Sequence, residues 1–303
     1  MNLEEWLKLS RSELATLVEQ KAVTVLISLD GTQRHYLLQH PELDGRIEDF
    51  GAYAKESGDA YANVFRLFFD LGVKALLVPL LIENDFWRGD KYINQAVQWS
   101  SRMLLNPPFT DVYNEYDTQA RLYGDYRFAQ SAKTVRNALE QISQQLINTT
   151  IISARQIWFG YMAGSLADDL VERSIGLFRQ LGRIPTEAEL RANEFGADGP
   201  GRVNILINSG WLIHGGVVPA IFANQAIDIY NLPYLAFDLT DTALRKILYD
   251  HIYLRHAAAY DMTMYSATEL MKIKEFYDVH QNCIIGFGQN IGPALWYADH
   301  NHE

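Results

Sequence analysis

The chain has 303 residues, 48% hydrophobic and 21% charged, the composition of a globular protein with a sizeable core. Its net charge of −11 argues against a general nucleic-acid binder, because phosphate backbones demand a basic face. A lone cysteine, Cys283, leaves no intrachain disulfide and no multi-cysteine zinc site, and its neighbours Ile284 and Ile285 predict a buried, inert thiol.

In chain order, the N-terminus Met1-Asn2-Leu3-Glu4-Glu5-Trp6 is acidic and amphipathic and reads as a helical extension over about residues 1–20, not as a signal peptide. Buried strands are predicted at 22–29 and 74–82, each an apolar run of strand length, with helical spacing between them at 56–71 (Tyr61, Phe65, Phe68, Phe69). A helix is predicted at 90–103, a short strand at 121–126, a helix at 131–146, a strand at 151–161 and a helix at 166–181. Further strands are expected at 203–208, 234–237 and 283–287, and helices at 240–256 and 267–277. Strands alternating with helices predict an α/β fold with a mainly parallel central sheet flanked by helices. With no repeat, linker or low-complexity tract, the expectation is one domain over residues 1–303. No apolar run approaches the ~20 residues of a membrane span. The expected setting is a reducing cytoplasm, without stable membrane insertion.

Ligands of parallel sheets sit at the carboxyl ends of the strands, so residues there matter most. After the first strand come Asp30-Gly31-Thr32-Gln33-Arg34, which combine a carboxylate, a turn glycine and a phosphate fork, although such turns are also common structural features. After the second come Glu83-Asn84-Asp85, read as a solvated loop, then Arg88-Gly89-Asp90-Lys91-Tyr92 leading into a helix, with Arg88 and Tyr92 as candidate phosphate donors. His251 and Arg255 fall on the apolar stripe of the 240–256 helix; they require either internal partners or a ligand. Asp168-Asp169-Leu170-Val171-Glu172 matches the acidic signature of helical terpene synthases, but the alternating strands oppose that reading and the carboxylates suit a helix start. Gly286-Phe287-Gly288 with Gly292 and Trp296 has no following βαβ unit, so a dinucleotide site is a poor reading.

Four segments carry a specific resemblance: residues 30–34, 88–92, Tyr123-Gly124-Asp125-Tyr126, and the long block Arg245-Lys246-Ile247-Leu248-Tyr249-Asp250-His251-Ile252-Tyr253-Leu254-Arg255-His256. Together they resemble the tuberculosinol/isotuberculosinol (tuberculosinyl-transferring) synthases, including a clerodane-type, kolavelool-forming branch, from about residue 20 to the C-terminal segment with Trp296. The resemblance implies a cis-prenyltransferase (undecaprenyl diphosphate synthase)-like fold, a bacterial-type homodimer and Mg²⁺. It implies an enzyme that removes diphosphate from a bicyclic diterpenoid diphosphate supplied by a class II diterpene cyclase. Water captures the cation, giving a tertiary allylic alcohol, or the group is transferred to a nucleoside or to isopentenyl diphosphate. By position, Asp30 is the catalytic, metal-binding aspartate, Tyr53 the catalytic tyrosine, and Gly31, Thr32, Arg34, Arg88 and Tyr92 the diphosphate site; His251, Arg255 and Trp296 are pocket or interface candidates. The chain departs from the family pattern, whose acidic stretch before Arg-Gly-Asp becomes Glu83-Asn84-Asp85. The family's paired arginines become Gln33-Arg34 and the following tryptophan becomes His35. Asn208-Ser209-Gly210 lacks the arginine that chain-elongating enzymes carry before Ser-Gly, which favours a non-elongating enzyme.

Overall fold

A computed structural model describes residues 1–150, 153–209, 217–222, 225–255, 265–281, 283, 288–291 and 295–298, with backbone alone for 289–291 and 295–298. The sequence features at His256, Gly286-Phe287, Gly210, Gly292 and the Trp296 side chain lie outside the described residues.

The chain begins with α1 (Leu3–Lys8) and α2 (Arg11–Glu19), each started by a capping box, Asn2 with Glu5 and Ser10 with Glu13. Then follow β1 (Thr24–Ile27), α3 (Thr32–Gln39), α4 (Phe50–Asp70), β2 (Ala75–Leu81), α5 (Glu83–Phe86), α6 (Asp90–Leu104), α7 (Phe109–Glu115) and β3 (Thr118–Tyr123). Next are α8 (Arg136–Thr149), β4 (Arg155–Tyr161), α9 (Leu166–Leu181), α10 (Glu187–Phe195), β5 (Ile205–Ser209), β6 (Asp228–Leu232) and α11 (Asp241–Tyr249). A π-helical turn, Asp250–Leu254, extends α11; α12 (Ala267–Val279) and an antiparallel hairpin of β7 (Gly288–Ile291) and β8 (Leu295–Ala298) complete the order.

β1 to β6 form one sheet in the order β3-β4-β2-β1-β5-β6, and every pairing is parallel. Side chains alternate between its faces because a strand has a period of two. Val25, Ile27, Leu76, Val78, Ile157, Phe159, Ile205 and Ile207 join the larger core, which the aromatic stripe of α4 covers. Leu26, Leu77, Trp158 and Leu206 join the other core, beneath Phe195 of α10 and Phe222. Both faces of the central strands are therefore dry, which explains why β1 and β2 read as apolar runs. Each fully buried large side chain in these layers contributes roughly 1.5–3 kcal/mol. The N-terminal helices are tied to α11: Trp6 is wholly buried, its Nε1–H donates to Arg245 O at 2.8 Å, and the Arg245 guanidinium is held by Asp241 and Leu9 O.

Three expectations need correction. The strand placed at 234–237 is instead β6 at Asp228–Leu232, and Ala236–Asp238 is a 3₁₀ turn. Pairing with β5 selects Asp228–Leu232, although the strand is only partly buried at the sheet edge and so lacks a continuous apolar run. Glu83-Asn84-Asp85 is not a solvated loop but the helical turn α5, closed by Asp85 Oδ2 accepting the Ile82 N–H at 3.0 Å. Cys283 is half-buried, not enclosed.

Connections leave β1 toward β2 on one side and β5 toward β6 on the other, so the chain reverses its winding between the neighbours β1 and β5. Such a reversal opens a crevice at the carboxyl ends of the strands.

Candidate active site

Asp30 stands beyond the carboxyl end of β1, its side chain 63% exposed and loosely paired (3.4 Å) with the Arg34 guanidinium. Gly31 caps α3 with φ +84°, a backbone that suits glycine. A Cβ there would lie 2.9 Å from Leu235 Cδ2 and 3.0 Å from Arg34 Nε. No side chain caps α3, so its first amide N–H groups remain a donor surface for an anion.

The second strand end repeats this construction. Gly89, at φ +92°, is the N-cap of α6, again without a side-chain cap. Arg88 lies 3.6 Å above the Tyr92 ring and 3.9 Å from Asp85 Oδ1. Burial pushes the Asp85 carboxyl up, with Asp30 adding to the rise while the Ile82 N–H and Arg88 oppose it. Burial likewise raises the Tyr92 phenol, which stays a neutral donor at physiological pH.

Tyr53 occupies the first turn of α4, 8% exposed, and its phenol donates to Thr32 Oγ1 at 2.9 Å. This bond joins α4 to the uncapped start of α3. Burial raises the Tyr53 phenol, with the bond to Thr32 and the nearby Ser57 hydroxyl opposing. Its ring is edge-on to Tyr36 (5.4 Å) and stacked on Trp99 (6.3 Å); Trp99 reaches Tyr61 (6.5 Å), and Tyr61 is edge-on to Phe237 (5.1 Å). Burial, then the negative charge near Tyr53, Asp30 and Asp85, disfavours ionisation of Tyr61, so these groups share one electrostatic neighbourhood. The buried Trp99 Nε1–H has no hydrogen-bond partner among the described residues, and such an orphan donor is uncommon. A cavity of about 220 Å³ between α3 and α4 adjoins this wall, lined by Tyr36, Glu56 and Ser57 among others.

The structure thus brings together Asp30, Gly31, Thr32, Arg34 and Tyr53, with Asp85, Arg88 and Tyr92 at the next strand end. Sequence reasoning missed Trp99, Tyr36 and Phe237 as walls of this site. No local pattern marked them, because they come from three separate elements, α6, α3 and the 3₁₀ turn Ala236–Asp238, that meet only around α4. His251 and Arg255 are placed elsewhere. Asp228, at the start of β6, accepts from His251 Nδ1 at 2.6 Å and lies 3.7 Å from Arg255, which also bonds Asp250 at 2.6 Å. Their polar requirement is met by internal partners at the amino ends of the strands, the opposite edge of the sheet.

Asp169 of the Asp168-Asp169 pair also finds a structural role, while Asp168 stays exposed at the start of α9. Arg173 is 2.7 Å from Asp169 and 3.6 Å from Glu194, and donates to Gly124 O at 3.0 Å. Glu194 accepts the Gly124 N–H at 3.2 Å, and Asp125 accepts the Ala163 N–H. Burial raises Asp125 to about 6 and Glu194 to about 7, while Arg173 pulls Glu194 back. The Tyr123-Gly124-Asp125-Tyr126 segment is therefore clamped onto α9 and α10 by buried charge.

No group of three or more His, Cys, Asp or Glu side chains suited to a metal occurs among the described residues. Mg²⁺ does not need one, since it commonly takes one or two carboxylates, waters and substrate phosphate oxygens. The exposed, loosely engaged Asp30 carboxylate fits that role.

No protein-family profile matches the chain. It is 24% identical to tuberculosinyl adenosine transferase of Mycobacterium tuberculosis (strain CDC 1551 / Oshkosh) over 309 aligned positions, covering 99% of this chain and all of the relative. It is 22% identical to (+)-kolavelool synthase of Herpetosiphon aurantiacus, covering 94% of this chain and 92% of the relative. Among solved structures, lavandulyl diphosphate synthase from Lavandula x intermedia superposes with a TM-score of 0.55 at 14% identity, covering 75% of this chain and 94% of that one. A probable undecaprenyl diphosphate synthase from Campylobacter jejuni gives 0.51 at 13%, covering 76% and 95%. The chain has the cis-prenyltransferase fold, and its resemblance to the tuberculosinol-type synthases extends over nearly its whole length. No helix among the described residues is long and apolar enough to cross a membrane.

Proposed function

We propose that this chain, one catalytic unit over its whole length, is a terpene synthase that ionises a bicyclic allylic diterpenoid diphosphate and lets water capture the cation as a tertiary alcohol. The observation that carries this reading is the pair of uncapped, glycine-started helices, α3 and α6, beside Asp30, Arg34, Arg88 and Tyr92 and next to an aromatic wall. Diphosphate departure builds negative charge on the leaving oxygens. Preformed N–H donors, the two guanidinium groups and the neutral Tyr92 phenol would stabilise that charge. In this reading Asp30 holds Mg²⁺; the chemistry the bound ion would supply is charge neutralisation on the diphosphate oxygens.

The faces of Tyr53, Tyr61 and Trp99 suit the allylic cation through cation–π attraction. The raised Tyr53 phenol is a poor base, so its role is to orient the attacking water by accepting one of its hydrogens, with the phenolic proton held on Thr32. The proton that water loses on forming the new C–O bond then goes to the released diphosphate, a stronger base.

Transfer to a nucleoside is the second reading, favoured by the similarity to an adenosine transferase over 99% of the chain. Incubation with kolavenyl-type, labdadienyl-type and linear geranylgeranyl diphosphates, with and without labelled adenosine and with and without EDTA, tests both. A Mg²⁺-dependent tertiary alcohol with no adenosine adduct supports the first; an adduct supports the second. Absence of diphosphate release from every substrate refutes both. The proposal retains the homodimer and the class II cyclase as supplier. Exposed Val171, Ile175 and Phe178 on α9 form an apolar row that a subunit interface would cover, and sedimentation would test it.

A further inference from the structure

A second cavity, about 520 Å³, opens at the amino ends of β1, β2, β4 and β5, the edge opposite Asp30. Its position alone sets it apart, because the substrate crevice of a parallel sheet lies at the carboxyl ends. Lys21, Lys74 and Arg202 line it, one from each of three separate segments. None of the three has a carboxylate partner among the described residues; Arg202 makes one long bond, 3.4 Å, to Ala226 O. In a chain carrying 37 acidic against 26 basic residues, three cations lining one cavity with no carboxylate partner among the described residues concentrate positive charge there. Asp198 is the acidic side chain in the lining, so the local balance stays positive. His251 also lines the cavity, but its Nδ1 is committed to Asp228 at 2.6 Å.

The polar walls are fixed. Asn204 is 7% exposed and accepts the Thr24 N–H through Oδ1 at 2.8 Å, which leaves its Nδ2 donor beside the cavity. Gln156 is held by Trp158, Gln119 and Asp198 O. Gly199 is required there, since a Cβ would strike Phe195 Cβ at 2.3 Å, whereas Gly201 faces open space. Ala22, Ala75 and Ile252 add an apolar floor.

We propose that this cavity is a second binding site, for a small phosphate-bearing organic anion such as a nucleotide, held by Lys21, Lys74 and Arg202 with the Asn204 amide. Phosphate is the chemistry that uses several cations and amide donors at once. The apolar floor takes the organic part. The site is independent of the diphosphate chemistry proposed at Asp30.

Calorimetric titration of adenosine diphosphate and inorganic pyrophosphate tests it, using the full-length Arg34→Ala/Arg88→Ala protein so that the front site is weakened. One binding event is expected, with adenosine diphosphate the tighter probe. Lys21→Gln, Lys74→Gln and Arg202→Gln each remove one charge-assisted bond to phosphate, so each should weaken binding by at least about tenfold. In an otherwise native chain the same three exposed-residue substitutions should leave folding and front-site turnover intact. Absence of binding by either probe, or binding unchanged by the three substitutions, overturns the proposal. Turnover unaffected by Arg34→Ala would instead count against the front site alone.

Discussion

Replacing Tyr53 by Phe isolates one hydroxyl in the proposed mechanism. The ring would keep its packing against Tyr36 and Trp99. The structural loss is a single 2.9 Å bond to Thr32, whose hydroxyl sits at the partly open start of α3 and can turn to water. Such a neutral bond contributes about 1 kcal/mol, equivalent to a fall of roughly 2–4 °C in Tm for a chain of this size. The catalytic loss should be far larger. A hydroxyl that orients the attacking water contributes on the order of 10²-fold or more, so kcat should drop by about 2.7 kcal/mol of barrier while KM moves little. Diphosphate release by a coupled phosphate assay, product profiles by gas chromatography, and Tm by calorimetry measure these together. If water capture fails but ionisation proceeds, elimination products should replace the alcohol. Turnover within about twofold of the native enzyme, with the same alcohol, would refute the assignment of Tyr53.

Three further outcomes follow from the same geometry. Gly31→Ala would force a Cβ against Leu235 and the Arg34 guanidinium at positive φ, so KM for the diphosphate should rise several-fold and stability fall by about 1–2 kcal/mol, read from initial rates and thermal melts. Arg34→Ala should leave Tm nearly unchanged, because its 3.4 Å pair with Asp30 is exposed, yet raise the barrier by about 2–4 kcal/mol in kcat/KM. Glu194 binds its proton more tightly in the fold, about 7 against an ordinary 4.5, so its stability contribution is complete below pH 4.5 and is lost as pH rises through 7. Glu194→Gln should therefore flatten the decline of Tm between pH 5 and 8, by a few degrees, and an unchanged slope would refute this account.

The alternation of buried strands and amphipathic helices is legible in the sequence, because the largely apolar runs at 24–27, 75–81 and 157–161 are written locally. The sequence also placed Asp30-Gly31 and Arg88-Gly89 at strand ends, since strand length and turn glycines are local properties. Tertiary structure decided everything that depends on separated segments. β6 shows this at the level of fold: Asp228–Leu232 gains its strand character from pairing with β5, not from an apolar run of its own. His251 and Arg255 show it for function. Their helical stripe permits either a ligand or an internal partner, and the approach of Asp228 from β6, added to Asp250 of the same turn, selects the latter. Asp169 likewise looked like a helix-start carboxylate until α10 brought Glu194 beside Arg173. Hydrophobic periodicity encodes which side chains leave water. It does not encode which polar groups then meet, because that depends on how distant helices pack over one sheet.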